Sequence, residues 1–238
     1  MENKDIQNEQ DESSGLKLKF NRRNFLVFSG VTAAGLAVGL QGCSDDDNPT
    51  DPDGAVDLGS GDIGILNYAY ALEQLEAAFY IKVLESQYSG LDMGSKEFEI
   101  LRDIRDHEIA HKDFFMNAIP QASRIPSLEV DFSSVDFTSR MSVLNTAKAF
   151  EDLGVSAYNG AGHLIESVDY LLIAGKIVSV EARHAAAIRD LLNPGSADFA
   201  GDDIIGAGGL DVATAPADVL ATASTYIKTN VTANNLPR

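Results

Sequence analysis

The sequence predicts an all-α fold: a four-helix bundle with one long crossover between helices 2 and 3, plus a short C-terminal helix. Three observations carry this. Four long stretches repeat apolar residues at helical spacing and stop at Gly, Pro or Asn. A two-part pattern, Glu-x6-Tyr followed by Glu-x2-His, occurs twice in the same order. Between the two copies runs a connection of about 20 residues, Ile119 to Thr138, longer than a turn between neighbouring antiparallel helices requires.

The first stretch covers Asp62 to Ser86. Leu66, Ala69, Tyr70, Ala77, Tyr80 and Leu84 share a helical face with Glu73, and Glu76 points inward one turn along. Asn67, Gln74, Lys82 and Glu85 fall on the opposite side and are expected in solvent. Tyr88 to Gly94 supplies turn residues. The second helix runs from Ser95 to Ala118, before Pro120, with Leu101, Ile104 and Phe115 on the face of Glu108. His107 sits about 100° from Glu108 on the wheel. That makes it a poorer ligand than His111, with a structural or supporting role.

Pro120, Pro126 and the alternating SLEVDFSSVDF mark the crossover. The third helix runs from Ser139 to Leu164, where Leu144, Ala147, Val155 and Tyr158 flank Glu151 and Gly160 and Gly162 weaken the end. The fourth runs from Asp169 to Leu192 and stops at Asn193-Pro194, with Ala174, Ile177 and Ile188 on the face of Glu181. Residues 195–214 are Gly-, Ala- and Asp-rich and read as loop. Pro216 opens a short helix reaching about Ile227.

Length and composition suit one good core: 238 residues with 45% apolar content. The formal charge of −18 disfavours nucleic acid and anionic membrane faces. It gives a solvated, self-repelling surface and can also concentrate metal cations. Cys43 is the only cysteine, so no internal disulfide can form.

The N-terminus reads as an address. NRRNFL, Asn21 to Leu26, precedes a Gly- and Ala-rich run to Leu40, too short and too weakly apolar to resemble a spanning helix. Paired arginines before such a run resemble a twin-arginine export signal. Leu40-Gln41-Gly42-Cys43 resembles a lipobox, which makes Cys43 the lipidated first residue of the mature chain. An uncleaved anchor helix and a plain cleaved signal are the alternatives. On this reading residues 1–42 are the signal and residues 43–61, rich in Asp, Pro and Gly, are a solvated tether. Residues 62–192 form the bundle and 193–238 the C-terminal loop and short helix. The protein is then exported folded and lipid-anchored in a bacterial cell envelope, in the periplasm or at the outer membrane.

The repeated motif carries the chemistry. Glu108 and His111, and again Glu181 and His184, lie three apart and so share a helix face. With 13 Glu and 4 His in the chain, chance supplies about 0.2 such matches. An acid and an imidazole on an apolar face need compensation, and a metal ion supplies it.

The order of these residues resembles the ligand set of ferritin-like di-iron and di-manganese bundles, with one Glu from each of two helices and one Glu-x-x-His from each of the others. NYAYALEQLEAAFY, RDHEIAHKDFF, AFEDLGVSAYNGA and SVEARHAAAIRDLL are similar to the exported ferritin-like family that includes plant desiccation-related proteins. The resemblance implies two transition-metal ions, Fe or Mn first. Glu73 and His111 would serve one, Glu151 and His184 the other, with Glu108 and Glu181 bridging. Tyr80 and Tyr158 would take the places of the hydrogen-bonding or redox tyrosines of this superfamily. Glu76 has no mate in the second half, where Gly154 stands. It either adds a carboxylate to an asymmetric, rubrerythrin-like site or pairs with Arg105 or Arg183. The resemblance also allows a homo-oligomer.

Three functions follow as expectations: a di-metal oxidoreductase acting on peroxide, O2 or Fe(II); a metal-binding or desiccation and stress protein with little turnover; and a metal-free helical scaffold. Filled ligand positions on both halves argue against the third.

Overall fold

A computed structural model describes residues 54–238. The expected export signal, Cys43 and the first part of the tether lie outside the described residues. Strand β1 (Val56–Asp57) is followed by α1 (Gly61–Ser86), α2 (Lys96–Ala118), α3 (Arg140–Gly162), α4 (Val168–Leu192), α5 (Pro216–Ala223) and β2 (Val231–Thr232). Among the described residues, no helix is long and apolar enough to cross a membrane. The four long helices start and end within a few residues of the expected positions. Ser95, Ser139 and Ser167 cap α2, α3 and α4, each accepting from the N–H three residues on.

The helices pack as two hairpins, α1 on α2 and α3 on α4. The end contacts give their directions. Arg140, opening α3, donates to Glu97 at the start of α2 and to the Leu191 carbonyl at the end of α4. Asp62, opening α1, accepts from the N–H groups of Glu166 and Ser167 just before α4. The starts of α2 and α3 therefore lie at the same end of the bundle. The chain leaving α2 must return along the full bundle, about 34 Å for a helix of this length, and this is the crossover the sequence predicts.

The crossover covers more than expected. Asn67, predicted to face solvent, is buried: it donates to the carbonyls of Leu58 and Ser123 and accepts from the Ile125 N–H. Gln74, predicted to face solvent too, accepts from Leu128 N–H at 2.8 Å. These amides satisfy backbone groups that the crossover would otherwise bury unpaired. The polar side of α1 is thus a docking strip, while Lys82 and Glu85 are exposed as expected.

Two further expectations change. The end of the predicted tether is not a solvated linker: Ala55, Val56 and Leu58 are buried, and β1 pairs in parallel with β2 near the other terminus. The apolar residues there are ordered by a strand about 175 positions away, which no local composition reveals. The final helix stops at Ala223 rather than Ile227. Ile227 instead bridges Val130 of the crossover, and Tyr226 meets the Phe150 ring of α3 edge-on at 4.8 Å. Gly160 is needed for the same packing. A Cβ there would lie 1.8 Å from the Thr214 carbonyl oxygen, so its role is close approach rather than helix weakening.

Candidate metal centre

Each long helix brings one glutamate to the bundle axis, because the apolar residues one turn to either side turn that face inward. Glu73 comes from α1, Glu108 from α2, Glu151 from α3 and Glu181 from α4, and all four are 0% exposed. His111 and His184 follow one turn later on α2 and α4. The six side chains expected from the repeat therefore converge on one site.

Their donor atoms form two groups. Glu73, Glu108, His111 and Glu181 make one; Glu108, Glu151, Glu181 and His184 make the other, with the ligand atoms of each group within 4.8 Å of one another. Glu108 and Glu181 belong to both. His111 Nδ1 lies 2.8 Å from Glu181, 3.5 Å from Glu73 and 3.6 Å from Glu108. His184 Nδ1 lies 2.7 Å from Glu108, 3.4 Å from Glu151 and 3.6 Å from Glu181. These contacts are close but poorly aligned as hydrogen bonds. Glu73 Oε2, Glu151 Oε2, both oxygens of Glu108 and of Glu181, and both Nδ1 atoms are buried with no hydrogen-bond partner.

Eight such orphans in one place require an explanation, since buried polar groups are normally paired. Here every orphan atom points at its counterparts from other helices. Four carboxylates would carry a charge balanced by two divalent cations with both imidazoles neutral. The donors are all oxygen and nitrogen, which suits Fe, Mn or Zn rather than soft metals. The residues present fit a di-metal group.

Without metal, protons do the same work. Burial pushes the Glu108 carboxyl well above its usual range, and Glu181 adds to the rise. Burial, then His184 in the opposite sense, leaves Glu151 at about 7. Burial opposes charge on His111, but Glu108, Glu181 and Glu73 outweigh it and raise its pKa to about 12. His184 is raised likewise, burial again being overcome by Glu151 and Glu108. Burial is also overcome at Glu181, which the two histidines hold down at about 2.

The tyrosines bind across the repeat rather than within it. Tyr80, seven residues after Glu73, donates to Glu151; Tyr158, seven after Glu151, donates to Glu73. The sequence places both tyrosines near the site but does not give this exchange of partners. Glu76 is buried beside the cluster but belongs to neither ligand group. Of its two alternative roles, the ion pair does not form: Arg105 binds Asp106, and Arg183 is exposed. Burial, and then Glu181 and Glu108, push its carboxyl well above the usual range. Gly154 makes room for it, since a Cβ there would stand 3.0 Å from Glu76 Oε1. The sequence shows this pairing only as a gap in the repeat.

A scan of family models matches residues 61–194 to the ferritin-like domain. The chain belongs to the ferritin-like domain family. No curated protein matches it. The ferritin-like domain covers all four long helices and every residue of both donor groups. His107 belongs to neither donor group, in keeping with the supporting role the sequence suggests. In the ferritin-like domain it backs a candidate ligand, with its Nδ1 3.0 Å from His184 Nε2.

Proposed function

We propose that this protein is a di-metal oxidoreductase of the bacterial cell envelope that reduces peroxide or O2, or oxidises Fe(II), in stress protection. The observation that carries this reading is the set of eight buried, unpaired donor atoms divided into two groups that share Glu108 and Glu181. Glu73 and His111 would hold one ion, Glu151 and His184 the other, and Glu108 and Glu181 would bridge them. A bound pair of Fe or Mn ions supplies two electrons to one small oxidant.

The chain's own residues do the rest. Tyr80 and Tyr158 orient the terminal carboxylates through their hydroxyls. Burial, then the adjacent Glu151 charge, raises the pKa of Tyr80, and burial with Glu73 does the same for Tyr158, so both stay protonated donors. Glu76 holds a proton beside the cluster. An apolar cavity lined by Leu72, Phe115 and Tyr158 among others includes none of the six candidate ligands and meets the site only through Tyr158, which donates to Glu73. A second cavity of ≈ 230 Å³ lies against the C-terminal loop and includes none of the six candidate ligands.

Elemental analysis of natively expressed protein should give about two Fe or Mn ions per chain. The loaded protein should consume hydrogen peroxide or oxidise Fe(II). Bound metal with no turnover in either assay would replace this reading with a non-catalytic metal-binding or stress role. The address is tested separately. Metabolic labelling with palmitate should mark the wild type and not Cys43→Ser, and lysine in place of both Arg22 and Arg23 should leave the chain in the cytoplasm.

A further inference from the structure

The His184 ring engages the structure through both nitrogens. Nδ1 faces Glu108, Glu151 and Glu181. Nε2 lies 3.0 Å from Nδ1 of His107, and the two rings are nearly parallel, 8° apart with centroids at 5.2 Å. A nitrogen that binds metal carries no hydrogen, so the ring hydrogen of a liganding His184 sits on Nε2. His107 Nδ1 is placed to accept it. The acceptor fixes the ring's rotation and keeps the Nδ1 lone pair aimed at the carboxylates.

The repeat provides no such partner on the other side. His107 immediately precedes Glu108; the position immediately before Glu181 is Val180, whose side chain has no acceptor. Among the described residues Nε2 of His111 meets no acceptor, and its side chain is also the more exposed of the two ligand histidines, 13% against 5%. The two donor groups look equivalent in the motif but are supported differently.

Resting on the di-metal reading, we infer that His107 is a positioning residue for the ion held by Glu151 and His184, and that this is the tighter of two inequivalent metal positions. His107 is itself exposed on α2 and packs into no core, so its replacement spares the bundle.

Anaerobic Co(II) titration of the full chain, followed by visible absorption, tests this. Wild type should bind two ions in two resolved steps. His107→Ala should weaken the tighter step about 10–100-fold and leave the weaker one unchanged. His107→Asn, whose side-chain oxygen can replace the Nδ1 acceptor, should restore it. Helical circular dichroism should be the same in all three. Two equal steps in wild type, an unchanged His107→Ala titration, or an Asn variant as weak as the Ala variant would each overturn the inference. A wild type that binds no Co(II) would overturn the di-metal reading itself.

Discussion

The hydroxyl of Tyr80, on α1, donates to Glu151 on α3, while Tyr158 on α3 donates to Glu73 on α1. Each half of the repeat thus braces the ligand of the other. Tyr80→Phe would leave a fully buried carboxylate oxygen without its donor, at a cost of about 1–3 kcal/mol. Urea unfolding of the metal-free protein should show this loss. Metal affinity should also fall about 10–100-fold. Tyr158→Phe should act in the same direction through Glu73.

The bridging pair is the most sensitive element. Glu108→Ala combined with Glu181→Ala removes the two residues common to both donor groups. Metal content should drop to background in elemental analysis. Helical circular dichroism should stay largely intact, because α2 and α4 are also held by Leu101, Ile104, Phe115, Ile177 and Ile188. Loss of helix would mean that the acids serve folding first.

Stability should respond to pH in opposite ways with and without metal. In the metal-free protein, Glu108 and Glu76 are raised above the usual 4.5, so their contribution is complete below that value and declines as pH rises through the folded pKa. Glu151 loses its share between 4.5 and about 7, and His111 between 6.5 and about 12. Glu181 acts the other way: its contribution is present above 4.5 and lost as pH falls toward about 2. Metal binding must displace the protons on His111, His184 and Glu108, so affinity rises with pH. The gap in Tm between metal-loaded and chelator-treated protein should therefore widen from about pH 5 to about pH 8. A gap that narrows would contradict the proton assignment.

Two glycines test close packing. Gly160→Ala would force a methyl group into the Thr214 carbonyl and should cost about 1–3 kcal/mol or more, with the C-terminal segment loosened in hydrogen exchange. Gly154→Ala meets the end of the Glu76 side chain at 3.0 Å and the Glu181 carboxylate at 3.7 Å, and no backbone. It should cost less in stability and instead perturb the metal site, visible as altered Co(II) absorption.

The helix boundaries, the crossover and the six candidate ligands were legible in the sequence, because helical periodicity and the spacing of three are local rules. A residue such as Glu73 among Leu66, Ala69, Tyr70 and Ala77 declares its own face. What covers the opposite face is not local: Asn67 and Gln74 look solvated until the crossover lies over them. The same holds for Ala55 to Leu58, which read as linker until the distant C-terminal strand pairs with them.

That two matching halves each contribute two carboxylates and one imidazole to an apolar interior follows from residue order alone. Which group meets which emerges from the packed bundle: Tyr80 with Glu151, Glu76 over Gly154, His107 behind His184. Periodicity fixes the direction of a side chain from its own helix axis, whereas its partners depend on how separate helices are packed and rotated against one another.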